Sequence, residues 1–189
     1  MNRLILPLIL LLSLGLQARA GELAGVHVDD RIKTAAGDPL VLNGMGLREK
    51  LWIDVYVGSL YLPAKANSVA EIIAQPGPVR VDMDIVYKEI SSEKLVKAWK
   101  KGFEKNQPPE RLAELQSRID RFYNLFEEDA RKGDRYVFEY IPGKGTSIRK
   151  NGVELGVIEG EDFKNALLEI WLGNHPADKS LKKGMLGLK

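Results

Sequence analysis

Residues 51–62 are the longest run of strand-forming residues in the chain, and they restrict the folds that it can adopt. Side chains alternate between two faces along a strand. The first set here is Leu51, Ile53, Val55, Val57, Ser59 and Tyr61, and the second is Trp52, Asp54, Tyr56, Gly58, Leu60 and Leu62. Because both sets are largely apolar, the run predicts a central strand that is covered on both sides and ends at Pro63.

Other strands are predicted on either side of this run. Residues 26–35 favour a short strand pair around two adjacent aspartates, and Leu40 begins a further strand. Residues 79–87 alternate apolar with charged side chains, which predicts a strand that is buried on one face only. The Asn151-Gly152 dipeptide indicates a two-residue hairpin turn between two later strands.

Apolar residues at steps of three and four predict helices in the remaining stretches. Ser68 and Ser91 are placed to cap the first two helices, and Pro108 precedes the third. Gly133 is predicted to close the third helix and Gly173 the last one. The order of elements predicts an α+β fold in which a mostly antiparallel sheet carries helices on one side.

The first 20 residues have the layout of a secretory signal peptide. Arg3 is followed by an almost wholly apolar stretch over residues 4–16, and small residues at positions 18 and 20 match those that a signal peptidase reads. We therefore expect cleavage after Ala20 and a periplasmic or secreted protein. The alternative, an uncleaved membrane anchor, would need about 20 apolar residues, which is more than this stretch offers.

Charge and composition exclude several partners and cofactors. Cleavage would remove two of the 28 basic residues and no acidic one, which leaves 26 of each sign and no net charge. Such a chain is a poor nucleic-acid binder. The sequence has no cysteine, and its two histidines are far apart. We therefore expect no metal, no cofactor, no nucleic acid and no transmembrane segment after cleavage, while the oligomeric state stays open.

Arg48 is the most unusual charged residue in the sequence. It follows two closely spaced glycines and leads into the apolar run. A guanidinium stays charged at any relevant pH, and its planar fork of donors matches a carboxylate. Because a buried charge without a partner is strongly destabilising, Arg48 needs either an anionic ligand or an acidic side chain, for which Asp54 is the nearby candidate. Tyr56 could add a hydroxyl group to such a site.

Three segments of the chain resemble the chalcone isomerase family, namely residues 43–48, 55–62 and 168–175. The similarity is closest to the exported bacterial chalcone isomerase-like proteins. It implies an open-faced β-sandwich, in which helices pack on one side of a long antiparallel sheet and leave a cleft between the two layers. Residues 21–189 are accordingly interpreted as one chalcone isomerase-like domain.

The resemblance also implies roles for particular residues. In plant chalcone isomerases the arginine that matches Arg48 holds the developing enolate, and in related plastid fatty-acid-binding proteins an arginine and a tyrosine hold a carboxylate. Tyr56 stands where the isomerases have a threonine, and Ile170 stands where they have a polar residue. These departures favour a non-catalytic protein that binds a hydrophobic carboxylate such as a fatty acid. Its candidate ligand-binding residues are Arg48, Tyr56, Trp99 and Tyr123.

Two other functions stay open at this point. An intramolecular lyase or isomerase that acts on an enone, such as a chalcone, would use Arg48 to hold the oxyanion. A structural or interaction protein of the cell envelope would instead pair Arg48 with Asp54 and would need no ligand.

Overall fold

The computed structural model describes residues 21–188. The predicted signal peptide and its cleavage site after Ala20 lie outside these residues. Of the helices between residues 21 and 188, none has the length and apolar character needed to cross a membrane.

A seven-stranded sheet forms the centre of the fold. Its strands are β3 (Arg31–Lys33), β4 (Pro39–Lys50), β5 (Ile53–Leu62), β6 (Val79–Ile85), β9 (Arg135–Ile141), β10 (Gly145–Lys150) and β11 (Val153–Ile158). They lie in the order β11-β10-β9-β6-β5-β4-β3, and every neighbouring pair is antiparallel. Two short pairs accompany the sheet, formed by β1 (Gly21–Leu23) with β2 (Val26–Val28) and by β7 (Glu89–Ile90) with β8 (Ala130–Arg131).

Five helices complete the described chain. They are α1 (Val69–Ala74), α2 (Ser92–Asn106), α3 (Pro109–Tyr123), α4 (Glu161–Leu172) and α5 (Lys179–Met185). The predicted caps of α1 and α2 are confirmed, because the hydroxyls of Ser68 and Ser91 accept hydrogen bonds from the backbone of the first helical turn. Gly173 ends α4 as predicted. The observed elements confirm the predicted α+β fold.

The helices pack on one face of the sheet through a layer of aromatic side chains. Trp99 of α2 lies at the centre, with its ring 5.5 Å from the rings of Phe122, Phe138 and Trp171. These four residues come from α2, α3, β9 and α4, and each is at most 4% exposed. Edge-to-face contacts of this kind stabilise a core beyond the area that they bury, so the layer fixes three helices to the sheet.

The opposite face of the sheet carries buried charges, so the prediction that β6 is buried on one face only is wrong. Asp82 is 2% exposed and forms two hydrogen bonds with Arg80, of 2.6 and 2.8 Å. Glu139 is fully buried and accepts hydrogen bonds from Arg149 and from the backbone of Ala35. Because opposite charges from the same and neighbouring strands meet here, each buried carboxylate has a cationic partner that offsets the cost of its burial.

Three further predictions of element boundaries are wrong. Helix α3 ends at Tyr123, whereas Gly133 has a φ of +92° in the turn that precedes β9; a glycine serves such a turn as well as a helix end. Residues 26–35 do not pair with each other, because β2 pairs with β1 and β3 with β4. Leu51 and Trp52, assigned to the central strand, form the turn between β4 and β5.

An ion pair joins α3 to α4 and gives the fold a dependence on pH. Arg118 donates two hydrogen bonds of 2.6 and 2.7 Å to Asp162, and these lower the pKa of that carboxyl below its ordinary value. The pair therefore stabilises the fold above the ordinary pKa, and the gain disappears as pH falls through the lowered one. We expect Asp162→Asn to cost about 1 kcal/mol at neutral pH, since solvent screens the pair, and nothing in strong acid. Urea unfolding across this pH range measures the difference, and an equal cost at every pH would contradict it.

Candidate functional site

Arg48 and Tyr56 lie side by side on the two longest strands. They are directly paired across β4 and β5, so their side chains leave the same face of the sheet. The Arg48 guanidinium carbon lies 5.5 Å from the centroid of the Tyr56 ring. This distance is typical of a cation held over an aromatic face. Arg48 is half-buried and Tyr56 is buried beneath it, so the pair joins the surface to the interior.

Asp54 is not the partner of Arg48. The register of β4 and β5 shifts next to Arg48, and Asp54 lies opposite Glu49 and is exposed. Within residues 21–188, no carboxylate approaches the Arg48 guanidinium to within 4.0 Å. The described part of the chain therefore leaves the donors of Arg48 available to an anion, and the internal pairing that a purely structural role required is not found there.

The Tyr56 hydroxyl is held in place from the helix side. The indole Nε1–H of Trp171 donates a 2.9 Å hydrogen bond to the Tyr56 oxygen. Burial raises the pKa of Tyr56 above its ordinary value, an effect that Arg48 and Trp171 oppose and that the charge of Asp178 reinforces. The hydroxyl is therefore protonated at neutral pH, and because its oxygen already accepts from Trp171, its own proton can be donated to a guest.

Trp171 is a site residue that the sequence pattern did not reveal. The family resemblance singles out its neighbour Ile170, but the Ile170 side chain packs against α2 where Gly102 leaves room for it. Successive residues of a helix point about 100° apart, so only one of the two can face Tyr56. The apolar spacing of α4 could not select between them, because both side chains are buried.

Trp99 and Tyr123, the other predicted ligand-binding residues, occupy two different places. The Trp99 ring is buried against the ring of Trp171, which donates to Tyr56, so Trp99 is linked to the Arg48–Tyr56 pair through one side chain. Tyr123 lines a separate groove of about 510 Å³ between α2 and α3, where Lys100 lies 5.4 Å from its ring centroid. The groove residues include neither Arg48 nor Tyr56, so the structure does not bring Tyr123 to this site.

Helix α5 packs on β4 and β5, the two strands that carry Arg48 and Tyr56. Gly46 and Gly58 have no side chains, and the Leu181 backbone and side chain fill the space where their Cβ atoms would lie. Leu181 and Met185 are fully buried members of the same apolar core as Tyr56 and Trp171. The Arg48 guanidinium and the Tyr56 hydroxyl therefore lie at the edge of an apolar core. Such a set of groups can hold an oxyanion that carries an apolar body.

The Tyr56–Trp171 hydrogen bond is expected to stabilise the fold. Tyr56→Phe removes the acceptor and leaves a buried indole N–H without a partner. We expect the free energy of unfolding to fall by about 1–3 kcal/mol. Urea denaturation measures the change, with Tyr87→Phe as the control because Tyr87 is exposed. Equal stabilities of the two variants would contradict the expectation.

Comparisons with known proteins agree with this fold. The family model described as chalcone isomerase-like matches residues 20–187. Among solved structures, a fatty-acid binding protein of Arabidopsis thaliana is similar, with a TM-score of 0.67 and 20% sequence identity, and the match covers 89% of this chain and 96% of that one. Among curated protein sequences, none matches the chain. The resemblance to this family and the fold class inferred from it are thereby confirmed.

Proposed function

This chain belongs to the chalcone isomerase-like family, and we propose that it is a non-catalytic protein that binds a hydrophobic carboxylate such as a fatty acid. The head group would accept hydrogen bonds from the Arg48 guanidinium and the Tyr56 hydroxyl. The apolar tail would lie against the side chains that surround Tyr56, namely Trp171, Leu181 and Met185. We further propose that the protein works in the periplasm or outside the cell, as its N-terminal sequence indicates.

One observation carries the proposal. Arg48 is half-buried, rests on an aromatic ring, and has no carboxylate of residues 21–188 within ion-pair distance. A guanidinium in such surroundings gains most from a planar, two-oxygen anion, because both oxygens can be bound at once. The Arabidopsis protein of similar fold is named for fatty-acid binding, which supports the same class of guest here.

The geometry around Arg48 favours binding over catalysis. The side chain at position 170 is apolar and is used to pack α4 on α2. Tyr56, the titratable group that faces Arg48, is held protonated by burial, so it is suited to donate a hydrogen bond and not to remove a proton. These features fit a protein that holds its guest unchanged.

Isothermal titration of the purified protein with palmitate tests the proposal. We expect Arg48→Ala to weaken binding about ten- to hundredfold, since a hydrogen bond to a charged group contributes about 1.5–3 kcal/mol. The affinity of Arg48→Lys for palmitate should lie between those of the wild type and Arg48→Ala, because lysine keeps the charge but loses the planar pair of N–H donors. Arg131→Ala is the matched control, because Arg131 is an exposed arginine that pairs with Glu89. Absence of palmitate binding, or equal affinities of wild type and Arg48→Ala, would overturn the proposal.

A second candidate uses the same two donors. An enolate oxygen could accept from the Arg48 guanidinium and the Tyr56 hydroxyl as a carboxylate does, which would favour an isomerase that acts on an enone. The measurement is the rate at which the enone absorbance of a chalcone is lost. A rate above that of the uncatalysed reaction, abolished in Arg48→Ala, would support this candidate over a binding protein.

A further inference from the structure

The tip of the β4–β5 hairpin exposes large apolar side chains. Trp52 is 96% exposed and Leu51 82%, and the adjoining Ile53 is about half exposed. Tyr87 is also exposed, and its backbone N–H donates to the carbonyl of Val55, two residues beyond Ile53 on β5. We call these four residues, Leu51, Trp52, Ile53 and Tyr87, the apolar tip.

The backbone of this turn would favour other residues. Leu51 and Trp52 have φ values of +51° and +68°, in the left-handed region that disfavours bulky side chains. The chain contains an internal comparison, because Asn151 and Gly152 occupy the turn of the β10–β11 hairpin with φ values of +52° and +85°. Asn-Gly is the preferred pair for such a turn. Leucine and tryptophan at these positions are therefore unfavourable in two ways, because their backbone is strained and their apolar side chains are exposed to water.

The shape and chemistry of the apolar tip match a lipid bilayer better than a protein. Four side chains at the end of a hairpin offer well under the roughly 800 Å² per partner that a stable protein interface buries. Tryptophan and tyrosine are enriched where membranes meet water. The surrounding exposed charges are mixed, with Lys50 and Lys88 beside Glu49 and Asp54, so the attraction would not depend on anionic lipid.

We propose that the apolar tip inserts into the interface of a lipid bilayer and docks the protein on a membrane surface. Arg48 lies on the same hairpin, three residues before Leu51. Insertion of the tip would therefore bring the Arg48–Tyr56 pair close to the head groups. The inference does not depend on the carboxylate site, because it rests on the exposure and conformation of the tip.

Co-sedimentation with vesicles tests the proposal, using phosphatidylcholine alone and phosphatidylcholine mixed with phosphatidylglycerol. We expect the wild type to bind both, and the double variant L51N/W52G to bind at least about tenfold more weakly, since it removes two large apolar side chains. The same variant installs the preferred turn residues, so its urea midpoint should rise, which separates lost docking from lost folding. Val153→Ser is the control, because Val153 is exposed beside the Asn151-Gly152 turn, and its binding should change less than about twofold.

Fluorescence supplies a second measurement. The chain has three tryptophans, of which Trp99 and Trp171 are buried, so brominated lipids in the vesicles should quench only Trp52. The proposal is overturned if the wild type stays in the supernatant with both vesicles, or if L51N/W52G binds them equally. It is also overturned if the apolar tip instead drives self-association in the absence of lipid. Since the vesicles contain no free fatty acid, a negative result leaves the palmitate titration unaffected.

Discussion

Glu139→Ala should lower the free energy of unfolding by about 3–5 kcal/mol, the usual cost of removing one partner from a buried ion pair. Glu139 is fully buried, accepts from Arg149 at 3.0 Å, and lies 3.7 Å from the guanidinium of Arg80. Without it, Arg149 would lose the carboxylate that it donates to, and Arg80 would lose one of its two carboxylate neighbours within 4.0 Å, keeping Asp82. The measurement is urea unfolding of the purified variant at neutral pH.

The control for this substitution is Glu89→Ala, which removes a carboxylate from an exposed ion pair with Arg131. We expect a change of at most about 0.5 kcal/mol, because solvent already screens that pair. If Glu139→Ala and Glu89→Ala lowered the free energy of unfolding equally, the prediction would be wrong, because the buried charges would then stabilise the fold no more than exposed ones.

Gly46→Ala should destabilise the protein by about 3 kcal/mol or more, at the upper end of the cost of overpacking. A Cβ atom at Gly46 would lie 2.5 Å from the backbone oxygen of Leu181 on α5. A backbone atom cannot relieve this clash by a rotamer change as a side chain can, so α5 would have to move away from β4. Urea unfolding measures the loss, and amide hydrogen exchange should show faster exchange in α5 than in α4.

Gly102→Ala provides the matched control for that prediction. The atoms nearest to its Cβ would belong to the side chain of Ile170, the first at 2.7 Å, and that side chain can change its rotamer. Alanine also has a higher helix propensity than glycine, by about 1 kcal/mol, and this offsets part of the crowding. The prediction for Gly46 would be wrong if the two variants unfolded alike and α5 kept its protection.

The sequence predicts the fold well where a local pattern is sufficient. The central strand, the helix caps at Ser68 and Ser91, and the Asn151-Gly152 turn all follow from spacing or from the chemistry of one or two residues. Their causes lie within a few positions along the chain. Arg48 is singled out by the same kind of local pattern, because its place just ahead of an apolar strand marks a charge that needs a partner. That this partner is a bound anion stays a prediction.

Features that depend on strand assembly were not predictable in this way. The alternation of β6 predicts that its charged side chains face solvent. Glu139, which lies between Arg80 and Arg149, is more than 50 residues further along the chain than Arg80 and meets it only in the assembled sheet. Trp171 escapes prediction for a related reason, since its hydrogen bond to Tyr56 joins residues that are 115 positions apart.

The buried charges on the sheet face opposite the helices affect the register in which the strands pair. A shift of β6 by one residue would turn Arg80 and Asp82 toward the apolar core between the sheet and helices α2 and α4. It would also place apolar side chains of β6 opposite Glu139 and Arg149. Every mispaired arrangement of this kind is strongly disfavoured. The buried charges of β6, β9 and β10 thus specify the strand register, because they destabilise any sheet in which β6 is shifted by one residue.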